Sequence, residues 1–568
     1  MKFSHYLKKT INLTRKNWLL ILVILVGAIL RFYNLNWDRG YFFNPDESNN
    51  IAHPSANLKF PLHPGNFVYG SFNIYLYRLG ALIMSLLTGS QAWSQAAQIN
   101  IIGRFVSATI SVCLIFLVFF LGKRLFSSRV GLLAAVLTSF NVGLIQAAHF
   151  GTTEIILTLG GVLTAIAIIV ILKEKKYQHG YLLGMISLGL AAGAKVSALV
   201  FLPSLLLAHL FALTRKNFLA RNQWLIAAGL LMFLVFFLVF PFSILDFPSF
   251  KNAFINERNI ATGETPIFFS GQFQRTKPYL FQLTKVLPWT LGWPVLIFGL
   301  LGLFTLFFQS IKNNDEKKYL LFFLPTFYFL FNGSLFVKWT RYMIPLSPFF
   351  CLLTAFFLLE IYNQSQKRKK IKPIISFIII AVVALQALYA MAFFNIYQRP
   401  DTRIAASEWI YRNLPPKKTL LLEPLDVASL PLSVSNRHPS EYSQIWFDFY
   451  ALDDPPEWPR KVALVEQLSN QLATSDYLLI GSRRVYANRL RLSDLYPLTT
   501  RYYLLLFDGT LGFDKIKEFS SYPKVLGVEI NDDMAEETFQ VFDHPKVMIF
   551  KNTKKLPSDA LKSLLLND

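Results

Sequence analysis

Two adjacent carboxylates, Asp46 and Glu47, stand in the run Phe43-Asn-Pro-Asp-Glu-Ser-Asn, shortly beyond a first apolar stretch. A third, Glu154, heads another apolar run in His149-Phe-Gly-Thr-Thr-Glu-Ile-Ile-Leu. An ionisable group at the head of an apolar helix is costly, so Glu154 is expected to have a partner or a purpose. Carboxylates gathered in one place can act as an acid/base pair or hold a divalent cation. The plainer reading is solvated loop carboxylates. Arg31, Arg104, Lys195, Lys338 and Arg341 also stand at ends of apolar runs, apart from the main basic clusters. Such cations suit phosphate, Arg by two-pronged contacts; singly, each would also serve by snorkelling to lipid headgroups. His53, His63 and His149 have no His-x-x-x-His spacing, which makes metal ligation by histidine the weaker expectation. No Gly-rich phosphate loop occurs, which fits a donor other than a free nucleotide without excluding one.

The elements that must position these residues follow from composition. Of 568 residues, 53% are hydrophobic and 16% charged, against about 25% charged in soluble domains. The formal charge is +22, but the basic residues fall in short clusters between apolar runs, as membrane topology requires, which argues against nucleic acid. Cys113 and Cys351 each lie inside an apolar run, so neither a disulfide framework nor a metal-binding Cys pair is expected. Lys8-Lys9 and Arg15-Lys16 precede the first apolar stretch, and no small-x-small cleavage site follows it, so it reads as an uncleaved span.

Spans need about 20 apolar residues. Candidates are 17–36, 100–122, 130–148, 153–172, 181–194, 196–213, 223–242, 287–309, 319–336, 342–361 and 373–394. The pair around Lys195 would also read as one bent element. The stretch 67–88 is ambiguous. If it spans, the cluster at 123–129 and every later one falls outside. If it lies along the interface, all basic clusters sit inside, and its aromatics, Asn73 and Arg78 suit that placement. The expected fold is therefore mostly α: a polytopic helical membrane domain over 1–395, with about eleven transmembrane helices and outer loops 37–99 and 243–286. A soluble α/β domain over 396–568 follows. In this reading the N-terminus is cytoplasmic, in the plasma membrane, and the C-terminal domain exoplasmic. Within that domain, helices are expected at Ile404–Asn413 and Val462–Leu472. Strands are expected at Thr419–Leu422, Tyr477–Ile480, Tyr502–Leu506, Lys524–Glu529 and Lys546–Phe550.

These pieces in this order resemble the GT-C superfamily of membrane glycosyltransferases, in particular the protein O-mannosyltransferase and lipid A aminoarabinose transferase families. The resemblance runs over about 1–415. It rests on Arg31-Phe-Tyr-x-Leu with Pro45-Asp46-Glu47, and on His63-Pro64 with Tyr69-Gly70-Ser71. It continues in Gly103-Arg104-Phe-Val-Ser107, Gly193-Ala-Lys195 and Lys338-Trp-Thr-Arg341-Tyr342-Met-Ile-Pro345. Glu154 stands where the family often has Asp, and Ser-Asn-Asn after Glu47 departs from both families.

The resemblance implies transfer of a sugar from a polyprenyl-phosphate-linked donor to a glycan, lipid or protein acceptor on the outer side, by inversion. It implies Asp46 as base, Glu47 assisting it, and Glu154 orienting sugar or acceptor. Lys195, Arg341 and Tyr342 would hold the donor phosphate, with Lys338 and Arg104 in support. His53, His63, Tyr69 and His149 are candidate acceptor or sugar contacts. No cofactor is certain, and because relatives in the superfamily include metal users, a divalent ion stays open. Segment 243–286 would cover the site. A transporter or flippase of lipid-linked glycans, or a non-catalytic membrane scaffold, is the alternative. A transporter would place its charges at mid-membrane; a scaffold would scatter Asp46 and Glu154.

Overall fold

The computed structural model describes residues 18–366, 368–423 and 429–566. The chain forms two units. One comprises 1–36, 45–265 and 276–394 and the other 37–44, 266–275 and 395–568.

The first unit is helical. Every stretch expected to span holds a helix, from Trp18–Phe32 to Lys372–Tyr397. Among the described residues six helices are long and apolar enough to cross a membrane, or up to seven if the bent pair Ser128–Ser139 and Val142–Ala148 is one span. That is fewer than the eleven expected. The others are shorter, as Trp18–Phe32 and Val196–Ala212 are, or more polar, as Tyr177–Ala194 is. The bent pair turns by 56°. Arg31 sits at this bend, fully buried, donating to the carbonyls of Ser139 and Thr138 at 2.9 Å and to Ser111 Oγ at 2.8 Å. It satisfies carbonyls that the helix end leaves without intrahelical partners, so its role is structural.

Two elements shape the site. Lys195 interrupts the helical run as an extended residue, with φ −153° and ψ 117° between Tyr177–Ala194 and the 3₁₀ turn Val196–Phe201. The ambiguous stretch forms the helix Phe72–Thr88, which is one-sided. Asn73, Ile74, Tyr77 and Ala81 are buried, while Leu79, Leu82, Ile83, Leu86 and Leu87 are exposed.

The second unit is built on a five-stranded sheet of order β2-β1-β3-β7-β4. Its strands are β1 (Thr419–Leu422), β2 (Ser443–Trp446), β3 (Tyr477–Ile480), β4 (Phe513–Phe519) and β7 (Val547–Asn552). β1 is parallel to β2 and β3, while β7 is antiparallel to β3 and β4. Leu420–Leu422 and Tyr477–Ile480 are buried throughout, the continuous apolar pattern of parallel strands covered on both faces. A separate hairpin pairs β5 (Lys524–Val525) with β6 (Val528–Glu529), so the expected strand Lys524–Glu529 is a turn flanked by two short strands. The expected strand at Tyr502–Leu506 is instead the end of the helix Pro497–Phe507. Pro497 suits a first helical turn, and Leu498, Tyr502 and Leu506 recur at four-residue spacing on its buried face. Residues 37–44 and 266–275 join this unit: Arg39 pairs with Glu408 at 3.1 Å and Gln272 Nε2 donates to Glu536 at 2.7 Å.

Candidate functional site

Asp46 and Glu47 occupy the short helix Pro45–Glu47, which continues as a wider turn through Ser48–Ala52. Neighbours on a helix diverge by about 100°, so the two carboxylates face different surroundings. Glu47 turns inward. It accepts from Arg104 Nε and Nη2, both at 2.8 Å, and from the Gly151 N–H at 2.5 Å. Arg104 also donates to the Leu35 carbonyl at 2.9 Å. Both side chains are fully buried.

Asp46 turns toward Arg341 and pairs with it, while Asn50 Nδ2 donates to its other oxygen at 3.3 Å. This pair is part-open, with 14% of the Asp46 and 23% of the Arg341 side chain exposed. Arg341 comes from the 3₁₀ segment Thr340–Leu346, and its guanidinium carbon lies 4.5 Å from the Trp339 ring centre.

A second pair stands beside the first. Lys195 Nζ donates to Glu154 Oε1 at 2.9 Å. The same ammonium lies 5.4 Å from the Tyr69 ring centre and 4.9 Å from that of Tyr342. Arg341 is within electrostatic reach of Asp46, Tyr69, Tyr342 and Glu154 together, which joins the two pairs. The Tyr69 hydroxyl and Arg341 Nε are buried and have no hydrogen-bond partner. Buried polar atoms are usually paired, so these two keep bonding capacity that no protein group uses. Burial holds the Tyr69 phenol well above the usual tyrosine range, against the pull of Arg341.

Tyr69 reaches Lys195 through a close backbone approach. The Gly70 N–H donates to the Ala194 carbonyl at 2.9 Å. A Cβ on Gly70 would lie 1.9 Å from the Gly193 oxygen, so only glycine fits.

The remaining expected residues lie in several places. His63 Nε2 meets Asp246 Oδ2 at 3.1 Å, and His63 packs edge-on against Phe67 and Phe242. His53 is exposed on the helix His53–Asn57. His149 is fully buried, its ring nitrogens facing the carbonyls of Ile145 at 2.8 Å and Tyr33 at 3.0 Å, which makes it a tie between segments. Lys338 is buried and donates to its neighbour Phe336 O at 2.6 Å; burial lowers its ammonium to about 8.

One residue escaped the sequence reading. Glu257 lies on the helix Phe247–Thr262, on the stripe Phe250, Ala253, Glu257, Ile260 that turns away from solvent. Burial raises its carboxyl, with Arg341 and Lys195 pulling it down and Asp46 adding repulsion, so it shares their field. The helix is pinned at its start by the Asp246–His63 contact. Near its end, the Ala261 carbonyl accepts from the Phe336 and Val337 N–H groups at 3.0 and 3.3 Å.

Each of Asp46, Glu47 and Glu154 thus already meets a cationic side chain. Among the described residues no group of three or more His, Cys, Asp or Glu side chains is placed to hold a metal ion. As arranged, these residues do not fit a metal site, and no step below runs through one.

The resemblance to the GT-C membrane glycosyltransferases read from the sequence stands. Residues 81–242 match the dolichyl-phosphate-mannose-protein mannosyltransferase family. The fold is similar to that of the oligosaccharyltransferase of Archaeoglobus fulgidus in its apo form, with TM-score 0.52 and 13% identity over 94% of this chain and 89% of that one. The A. fulgidus enzyme AglB in complex with an inhibitory peptide and a dolichol-phosphate gives TM-score 0.50 and 14% identity, over 86% and 72%. ArnT from Cupriavidus metallidurans bound to undecaprenyl phosphate gives 0.47 and 14%, over 96% and 99%. No curated protein matches the sequence.

Proposed function

We propose that the protein is an integral membrane glycosyltransferase that moves a sugar from a polyprenyl-phosphate carrier to an acceptor on the outer side of the membrane. The observation that carries this reading is the convergence of Asp46–Arg341 and Glu154–Lys195 around the unpartnered Tyr69 hydroxyl and Arg341 Nε. A scaffold has no need to gather these residues from four distant stretches of sequence. The structural neighbour solved with dolichol-phosphate supports a phosphate-bearing lipid as the donor.

In this mechanism the donor phosphate takes Arg341 and Lys195, with the Tyr342 and Tyr69 rings flanking the ammonium. The negative charge that grows on the departing phosphate is met by cations already in place. Arg341 then no longer neutralises Asp46. The freed carboxylate takes the proton from the acceptor hydroxyl or amine as that atom attacks the anomeric carbon, with inversion. Glu154, held by Lys195, orients the sugar. Glu47 acts through position: its bonds to Arg104 fix the helix that presents Asp46.

The reading places the N-terminus in the cytoplasm and residues 396–568 outside, as a separate domain of the plasma-membrane protein. The test is transfer by purified protein from a lipid-phosphate sugar. Asp46→Asn should lower transfer about 100- to 10,000-fold while leaving lipid-phosphate binding, and wild-type rates in that variant would sink the assignment.

A further inference from the structure

Of the 22 residues in the helix Phe218–Val239, only Arg221 and Ala228 are buried. Leu219, Trp224, Ile226 and Leu230 are exposed. An arginine at the end of such a helix ordinarily snorkels outward. Arg221 instead turns inward and is 8% exposed. Its guanidinium carbon lies 3.7 Å from the Tyr177 ring centre. That contact covers a face of the plane and uses none of its five N–H groups.

Among the described residues Arg221 makes no hydrogen bond and no ion pair, and its buried Nε has no partner. Arg31, Arg104 and Arg403 are buried too, but each has carbonyl or carboxylate acceptors. The polar side chains in the field of Arg221 supply no negative charge. Tyr181 and His209 bond each other at 2.7 Å, and His209 Nε2 meets Asn222 Oδ1 at 3.1 Å. A buried charge without a counterion is costly, so this arginine lacks an anion.

The surroundings select the anion. Tyr177 opens the helix Tyr177–Ala194, which starts with no side-chain cap, so its positive end adds to the field. The exposed Lys175 and Lys176 directly precede it, and the exposed Arg215 stands in the turn before Phe218–Val239. A guanidinium stacked on its face keeps its edge free, and that edge matches two phosphate oxygens. The exposed apolar side chains on the same helix suit acyl chains. Lys195 follows the other end of Tyr177–Ala194, about 26 Å away along its 18 residues. That is close to the thickness of a bilayer core. On the proposed orientation Arg221 therefore faces the cytoplasmic leaflet, where anionic lipids gather and basic pockets between helices hold their headgroups.

We propose that Arg221, stacked on Tyr177, binds the phosphate of a membrane phospholipid at the end of the helices opposite the Asp46 site. The two sites share no residue, and failure of this one would leave the glycosyltransferase reading untouched.

The test uses the full-length protein in a detergent without phosphate. Calorimetric titrations are run in the Arg341→Ala variant, which mutes the lipid-phosphate site on the other side. Dioctanoyl phosphatidic acid should bind saturably, and dioctanoylglycerol, which differs only in lacking the phosphate, should not. Adding Arg221→Met should weaken binding at least tenfold, and adding Tyr177→Leu several-fold. Without lipid, Arg221→Met alone should melt at or above the wild type, because it removes a buried charge that has no counterion; its binding loss is then not a folding effect. The proposal is overturned if the Arg341→Ala/Arg221→Met protein binds as tightly as Arg341→Ala alone, if dioctanoylglycerol binds equally well, or if Arg221→Met melts below the wild type. If inorganic phosphate displaces the lipid at equal concentration, a free phosphate is the ligand and the lipid is overturned.

Discussion

Glu47 and Asp46 are adjacent, and each meets one arginine, yet their surroundings differ. The Glu47–Arg104 pair is two-pronged, fully buried and saturated by further backbone partners. The Asp46–Arg341 pair is part-open, and Arg341 keeps an unused nitrogen. Composition cannot separate a structural ion pair from a functional one; leftover hydrogen-bonding capacity and access can. A closed pair fixes geometry, and an open one can exchange its partner for a substrate.

The sharpest way to break this contrast is to neutralise each side in turn. Asp46→Asn should lower transfer about 100- to 10,000-fold, the usual worth of a positioned base, with an unchanged unfolding midpoint; steady-state rates and thermal melts read both. Arg104→Met should do the converse. It strands a buried carboxylate at a cost of roughly 3–5 kcal/mol, seen as reduced folded yield and a lower melting temperature, and the double variant with Glu47→Met should recover most of the loss. If Arg104→Met melts like wild type, the closed pair is not structural.

Smaller effects refine the open side. Arg341→Ala should weaken lipid-phosphate binding about 10- to 100-fold, for the loss of charged hydrogen bonds worth roughly 1.5–3 kcal/mol, with little change in stability; titration with the lipid phosphate measures it. The soluble unit supplies a titratable contrast. Glu423 has a folded value of about 8, against about 4.3 for a free glutamate. The unfolded chain therefore gives up this proton first, so stability is full at low pH and is lost as pH rises from the free value through about 8. Glu423→Gln should flatten that slope in melts taken across the range. The smallest expected effect is at Glu257. Removing one negative charge from the field of Arg341 and Lys195 should tighten lipid-phosphate binding by only about twofold, the scale of a screened interaction across several ångströms. A large loss would instead mean that Glu257 bonds the substrate.

Much of this was legible in sequence because charge inside apolar surroundings is conspicuous. Asp46, Glu154, Lys195 and Arg341 announced themselves by position, and the structure brings them together. Arg31 announced itself the same way yet caps a bent helix, because a guanidinium serves carbonyls as readily as phosphates. Glu257 was hidden for the opposite reason. Its helix carries Lys251, Asn252, Asn256 and Arg258, so one more charge stood out only against the spacing of Phe250, Ala253 and Ile260. In the soluble unit, Tyr502–Leu506 has strand-forming residues but helical spacing, and packing followed the spacing. β4 reads Phe-Asp-Lys-Ile-Lys-Glu-Phe, whose charges conceal an edge strand that needs only one apolar side.

The contact of Gly70 with Gly193 and Ala194 has a mechanical consequence. Two backbones touching with no side chain between them leave no slack, so Tyr69 and Lys195 travel as a single piece. A lipid donor, on the proposed reading, would then have to enter without parting them. The helix Phe247–Thr262, held at Asp246 and at Ala261, would on the proposed reading be the panel that moves. Locking it with a cross-link from Ala261 to Val337 should shut the entrance while every charged residue of the site keeps its place.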